Sequence, residues 1–374
     1  MNTKVCFIYP PSYHYRQPFH QELRRVLALE GIEYIVFYAD LGSKDRFKND
    51  TVEISWGNKV PLTRLRSAEY QHAFRKARKF NLIIVQQENK LLLNYILKVW
   101  SRLNKRKIAY FGHGRNFQSR DPNSIGERFK RVMAKRVDWW FAYTNETRRH
   151  IESLGFPSEK ITVFNNSVDT SQVRGMVEAV TPQRLQELRG ELGLMGTHVG
   201  VFVGGIYPDK RMSFLVQAAD LIREKLPNFE LLVIGGGSDL PVIEGLASSR
   251  PWIRVLGPRF GVEKIELMML GHLFLMPGLV GLAILDAGTT GLPMATTRFP
   301  WHSPEIAYLD PDVNGIMVND WENPQAYADA VVEVLANPAR LEKMREQARE
   351  LGQTYTIEAM ARNFADGVLK ALAS

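Results

Sequence analysis

Residues 277–293, PGLVGLAILDAGTTGLP, place one carboxylate, Asp286, inside a short apolar run bounded by glycine and proline. A buried carboxylate without partners is costly, so Asp286 must meet a cation or hydroxyl donors. A ribose diol offers such hydroxyls; an arginine in a structural ion pair is the competing partner. The run GLAILDAGTTG reads as a short buried helix closed by Gly291 and Pro293. Its amino end then offers the backbone amides of Leu279, Val280 and Gly281, a setting suited to phosphate. Upstream, GGIYPDKR (204–211) sets Gly204 and Gly205 ahead of Lys210 and Arg211 where a helix begins. The glycines allow close approach to the backbone and Lys210 brings a positive charge, chemistry that suits a diphosphate. IGGGSD (234–239) is weaker, because the third spaced glycine of a dinucleotide turn is absent.

These loops need strands behind them. KVCFIYP (4–10), EYIVFYA (33–39), NLIIVQQ (81–87), KIAYFGHG (107–114), WWFAYT (139–144) and ITVFNN (161–166) are short, nearly continuous apolar runs separated by amphipathic stretches. Buried parallel strands alternating with helices are the expected structure. VGVFVGG (199–205), FELLVIGGG (229–237), IRVLG (253–257), LFLMPG (273–278) and PMATT (293–297) repeat the rhythm. The chain is therefore read as α/β, with two Rossmann-like doubly wound domains, residues 1–170 and 196–354. Residues 171–195 read as a linker followed by a helix, and 355–374 as a C-terminal helix free to pack on either domain. In open sheets of this kind, ligands bind at the carboxyl ends of the strands, so facing domains would share a cleft.

Charge is divided unevenly along the chain. Residues 1–175 hold 31 Lys+Arg against 16 Asp+Glu and residues 176–374 hold 17 against 24, giving +15 and −7. The asymmetry speaks of an anionic partner for the first half. Basic residues in 64–80, 98–107 and 127–140 interleave with apolar ones at helical spacing, the pattern of amphipathic helices on anionic lipid. No zinc spacing or aromatic RNA-binding motif accompanies the charge, which argues against nucleic acid. No apolar run reaches the length of a membrane span, and the N-terminus lacks the layout of a signal peptide. The expected location is the cytoplasm, peripheral on the inner face of the plasma membrane. The one cysteine, Cys6, excludes an internal disulfide and reads as core.

Order and spacing of these segments resemble the retaining GT-B glycosyltransferases, in particular glycosyltransferase family four. FVGGIYPDKRMSFLVQAADLI resembles that family's strand, phosphate loop and helix. LMPGLVGLAILDAGTTGLPMATT resembles its signature of two glutamates separated by seven residues, and HSPEIAYLDPDVNGIMV the segment after it. In the first half, FGHG resembles the loop with the active-site histidine and FNNSVDT the Asn-Gly-Val-Asp stretch. The resemblance implies that Lys210 balances the donor's diphosphate, that Asp286 holds the nucleotide ribose, and that His113 approaches the transferred sugar. It further implies that Arg259, in GPRFG, lies where the base is contacted and that Glu305 lies close to the donor. Tyr13, His14 and Arg16, in the loop PPSYHYR, would help bind the acceptor. Two departures stand out: Gly278 replaces the first signature glutamate, and Gly205 the arginine of the phosphate loop. Arg211, Arg259 or Arg298 is left to supply the missing cation.

The function implied is retaining transfer of a hexosyl or deoxyhexosyl group from a nucleotide-diphosphate sugar to a glycan or lipid-linked acceptor. The charge asymmetry adds an anionic membrane surface, as in assembly of O-antigen, capsule or exopolysaccharide. No metal or other cofactor is expected, because Lys210 and backbone amides would meet the leaving group's charge. A sugar-nucleotide epimerase of the same architecture and a non-catalytic nucleotide-sugar-binding homologue are the alternatives. An NAD oxidoreductase is disfavoured, since the first turn, YPPSYHYRQP, contains no glycine.

Overall fold

The computed structural model describes residues 3–11, 13–39, 52–66, 68–114, 121 and 124–374. The chain forms two compact units, Met1–Asp169 together with Ile357–Ser374, and Thr170–Thr356.

In chain order the strands of the first unit are β1 (Lys4–Pro11), β2 (Glu33–Ala39), β3 (Asn58–Lys59), β4 (Leu62–Leu65), β5 (Ala68–Gln71), β6 (Leu82–Gln86), β7 (Lys107–Gly112), β8 (Trp139–Ala142) and β9 (Ile161–Val163). β4 and β5 form an antiparallel hairpin, and the other seven make one parallel sheet in the order β3-β2-β1-β6-β7-β8-β9. Strands such as LIIVQ and WWFA are buried on both faces, which explains their unbroken apolar runs. One face of the sheet is covered by helices Gln17–Leu29 and Ile357–Ala373. Phe364, from the latter helix, lies flat on Phe141 with ring centroids 3.9 Å apart. Gly367 permits this approach, because a Cβ there would sit 2.5 Å from Thr162 Oγ1.

The second unit carries β10 (His198–Val203), β11 (Phe229–Ile234), β12 (Ile253–Gly257), β13 (Leu273–Leu275), β14 (Met294–Thr297) and β15 (Gly315–Val318). All are parallel, in the order β12-β11-β10-β13-β14-β15, the doubly wound arrangement. Its topological switch lies between β10 and β13, so the loops after these two strands are neighbours.

Two expectations are corrected. Residues 171–195 are not a linker: they form helices Thr170–Ala179 and Pro182–Glu191 within the second unit. Thr181 caps the latter by accepting the Arg184 N–H at 3.1 Å, and Arg184 pairs with Glu266 at 3.1 Å. Residues 64–80 do not form a basic helix, because cross-strand pairs Thr63–Tyr70 and Arg64–Glu69 hold the β4–β5 hairpin, leaving helix only at Phe74–Ala77.

Candidate active site

In the second unit, the chain leaves β10 through Gly204 and Gly205, makes a short turn at Pro208–Lys210, and enters helix Met212–Lys225. Arg211 joins turn and helix with φ of +59°. The three-glycine run after β11 serves this loop: a Cβ on Gly235 would lie 1.9 Å from Gly204 O, and one on Gly237 would lie 2.2 Å from Ile206 O. Those glycines are there for close loop packing, consistent with their failure to match a dinucleotide fingerprint.

Lys210 is 5% exposed, and its Nζ donates to the carbonyl of Leu279 at 2.5 Å, with Met276 Sδ at 3.6 Å and the Tyr207 ring beside it. Burial pulls its pKa down to about 8, partly offset by Asp209. The ammonium thus stands at the topological switch, where anionic ligands of doubly wound sheets bind.

The amides expected to receive a phosphate are partly committed. The Leu279 N–H donates to Asp209 O at 2.8 Å and the Val280 N–H to His302 Nδ1 at 3.0 Å. The helix itself begins only at Ala283, so Leu279, Val280 and Gly281 form a loop and not a helix N-terminus. Gly278 is the cause. A Cβ there would lie 2.1 Å from Asp209 O, so glycine lets the two loops press together and engage these amides. His302 donates from Nε2 to Thr297 O at 2.8 Å, fixing the tautomer that accepts from Val280. Its pKa falls to about 4, mainly through burial. An added Cβ at Gly281 would meet Ser303 Oγ at 3.7 Å, an ordinary van der Waals contact.

Asp286 pairs with Lys264 at 2.8 Å, both side chains 22% exposed. The partner is a cation, as one reading of the sequence required, but a lysine. It comes from helix Gly261–Met269, which follows GPRFG directly, so Asp286 and the loop of Arg259 are neighbours. Arg259 pairs with Glu263 at 2.6 Å. Arg298 donates to Asn319 at 3.0 Å, and Arg211 donates to the carbonyls of Trp321 at 2.5 Å and Pro277 at 3.4 Å. Of the three arginines, Arg211 therefore lies nearest the loop after β13. Glu305 is buried within the turn Pro304–Tyr308. Sequence reading overlooked the triplet Asp310-Pro311-Asp312; it lies in an exposed turn, with Asp312 paired to Arg340 at 2.9 Å.

In the first unit, Tyr13 leads into the turn His14–Arg16 after β1; the adjoining Ser12 lies outside the described residues. Tyr13 stacks on Tyr15 with centroids 5.6 Å apart, and His14 is exposed. Arg16 is 2% exposed, its guanidinium taken up by polar partners of the same unit. Its Nη1 donates to Asn166 Oδ1 at 2.5 Å and its Nη2 to Tyr143 Oη at 3.3 Å. The Tyr143 ring in turn lies against His113, centroids 4.1 Å apart. Burial, then Lys130 and Arg16, lower the His113 pKa to about 3, so the imidazole is neutral at physiological pH. Sequence reading missed Tyr143, Lys264 and His302. Tyr143 lies in the strand run WWFAYT, His302 opens HSPEIAYLDPDVNGIMV and Asn166 lies in FNNSVDT, yet the sequence attaches no role to any of them; Lys264 lies outside every stretch singled out.

With this geometry in view, comparison with known proteins identifies the class. Residues 197–337 match the family described as Glycosyl transferases group 1, and residues 20–172 match Glycosyltransferase Family 4. HepE of Anabaena, solved with UDP, superposes with a TM-score of 0.72 at 14% identity, covering 98% of this chain and 100% of HepE. A glycosyltransferase from Rickettsia africae superposes with a TM-score of 0.72 at 14% identity, covering 100% of this chain and 99% of the other. The two Rossmann-like units are thus those of the GT-B fold. Among curated relatives, D-inositol 3-phosphate glycosyltransferase of Corynebacterium urealyticum is 28% identical, with 59% of each chain covered. The chain spans about half the length of the curated relatives it matches. The chain belongs to the group 1, family 4 glycosyltransferases of GT-B fold.

Proposed function

We propose that the chain transfers a sugar from a nucleotide-diphosphate donor to a glycan or lipid-linked acceptor, with retention of anomeric configuration and without a metal. The observation that carries this reading is the buried ammonium of Lys210 at the switch between β10 and β13. The bond from anomeric carbon to diphosphate oxygen breaks, and the acceptor hydroxyl forms the new bond on the same face. The acceptor's proton passes to the departing phosphate oxygen. Lys210 meets the developing charge in a water-poor setting, where electrostatic stabilisation is strongest. Asp286 accepts from the ribose hydroxyls, and its pairing with Lys264 holds the carboxylate ready. His113 serves as a neutral imidazole toward the transferred sugar. With Gly278 in place of a carboxylate, a donor hydroxyl loses one acceptor, which favours a deoxy sugar or a grip from another residue.

Support for a UDP-type donor comes from HepE, solved with UDP. The charge of the first half supports an acceptor presented at an anionic inner leaflet, as in surface polysaccharide assembly. No helix among the described residues is long and apolar enough to cross a membrane. A thermal-shift panel of UDP, GDP and dTDP sugars, followed by NMR of the product, tests the assignment. An inverted linkage overturns retention, and loss of turnover in EDTA overturns metal independence. Conversion of the donor to its epimer without acceptor favours an epimerase instead, and release of nucleoside diphosphate only when acceptor is added argues against one. Asp286→Asn is expected to raise the donor KM about 10- to 100-fold, the range for losing a charged hydrogen-bond acceptor. Steady-state kinetics check this; an unchanged KM removes Asp286 from the donor site.

A further inference from the structure

The first unit exposes apolar side chains in an orderly way. Helix Leu92–Leu103 turns Leu93, Leu97 and Ser101 into the core. By helical periodicity, Ile96, Val99 and Leu103 fall on the opposite face, and they are 43%, 63% and 79% exposed. Helix Ile125–Ala134 repeats the arrangement: Ala134 is buried, while Ile125, Phe129 and Val132 are 87%, 41% and 53% exposed. Of the fourteen strongly exposed large apolar residues among those described, these two helices hold six. The helices adjoin: the Tyr95 and Phe129 rings lie 5.7 Å apart, and Asn89 Nδ2 donates to Gly126 O at 2.8 Å. Two apolar stripes side by side form a larger patch than isolated surface residues, of the kind that marks an interaction surface.

The surroundings of the patch identify its occupant. Arg102 and Lys105 flank one stripe, and Arg128, Lys135 and Arg136 the other, all exposed. Apolar residues on the crest with lysine and arginine beside them is the arrangement that lies in the interfacial plane of a bilayer. Anionic headgroups complement the basic flank, whereas a second copy would bring like charge against like.

We propose that helices Leu92–Leu103 and Ile125–Ala134 form one docking face for an anionic lipid bilayer, with Ile96, Val99, Leu103, Ile125, Phe129 and Val132 entering the headgroup–acyl boundary. The proposal deepens the reading of a membrane-presented acceptor, yet it is tested without donor or acceptor, so absent transferase activity leaves its outcome unaffected. The full chain is floated with phosphatidylcholine vesicles with and without phosphatidylglycerol, at low and high salt. Binding to the anionic vesicles is expected, weakened but not abolished by salt, because the apolar contribution is unscreened. Val99→Ser/Leu103→Ser/Phe129→Ser/Val132→Ser is expected to reduce the partition coefficient at least about tenfold and to make the residue of binding fully salt-sensitive. These sites are exposed, so circular dichroism melts of the variant should match the parent. Phe129→Trp provides a second readout, a blue-shifted emission on anionic vesicles. The proposal is overturned by no binding at low salt, by a quadruple variant that binds as well as the parent, or by a patch that pairs two copies in size-exclusion chromatography while vesicle binding survives the four substitutions.

Discussion

Lys210→Met is expected to lower donor kcat/KM by about 100- to 1,000-fold, the usual loss when one preorganised donor to a developing negative charge is removed. The same substitution should leave stability intact or raise it at pH 7. Lys210 is buried without a carboxylate paired to it among the ion pairs described, and its pKa has fallen from 10.5 to about 8. A shift of that size corresponds to about 3 kcal/mol of unfavourable burial for the charged form. The pH window follows from the sign. Below pH 8 the group is protonated whether folded or unfolded, so the penalty is present in full. Between pH 8 and 10.5 the unfolded chain binds more protons than the folded one, and parent stability rises toward that of the variant. Thermal melts at pH 7 and pH 10 read the difference: the gap between variant and parent should shrink with rising pH. A gap independent of pH would show that Lys210 is not the buried cation described. Donor binding should likewise weaken above pH 8, by up to about tenfold per pH unit, if the charged form is required.

Gly278→Glu is the second large effect. Matched to the family signature alone, this change restores a missing catalytic-site carboxylate and ought to help. The structure predicts the reverse, since even a Cβ at 278 would stand 2.1 Å from Asp209 O and 2.9 Å from Lys210 Cα. Both contacts are backbone, so neither can swing aside as a flexible side chain would. Relief requires separating the loops after β10 and β13, losing the Leu279 N–H to Asp209 O bond and displacing Lys210. A cost of about 3 kcal/mol or more is expected from such overpacking. Chemical denaturation of Gly278→Ala and Gly278→Glu checks it, and both should lose nucleotide binding. A Gly278→Glu chain with undiminished stability would mean that the two loops are held apart in solution.

The sheets were legible because a strand buried on both faces has to be written as an unbroken apolar run. VCFIYP, LIIVQ and FELLVI leave little choice of structure, and each is a strand as expected. β3 has only two residues, too few to carry a pattern, and β15, GIMV, stands at the end of HSPEIAYLDPDVNGIMV without being read as a strand. The β4–β5 hairpin was hidden by its basic residues, whose spacing mimics a helix face while pairing across strands decides the structure. At the site, Lys210 and Asp286 were visible because a charge in an apolar run has to be explained. Their partners were not. Lys264 lies 22 positions from Asp286, and the contact exists only once helices Gly261–Met269 and Ala283–Thr289 have both packed on helix Thr170–Ala179. The composition of GLAILDAGTTG suggests a helix from its first residues, whereas the helix begins at Ala283; the glycine at 278, which in sequence is a lost carboxylate, physically lets two backbones meet. In sequence Arg16 is an acceptor-loop residue by resemblance alone, and only the fold shows it braced between Asn166 and Tyr143.

The helix Ile357–Ala373 has a consequence for synthesis. It completes the aromatic core around Phe7, Phe111, Phe141 and Phe164, yet it is translated after every residue of the second unit. During elongation the earlier-made unit must therefore wait with that aromatic surface uncovered, while the later-made one already has its entire sequence and can fold first. The part of the chain that leaves the ribosome earliest is the last to be finished.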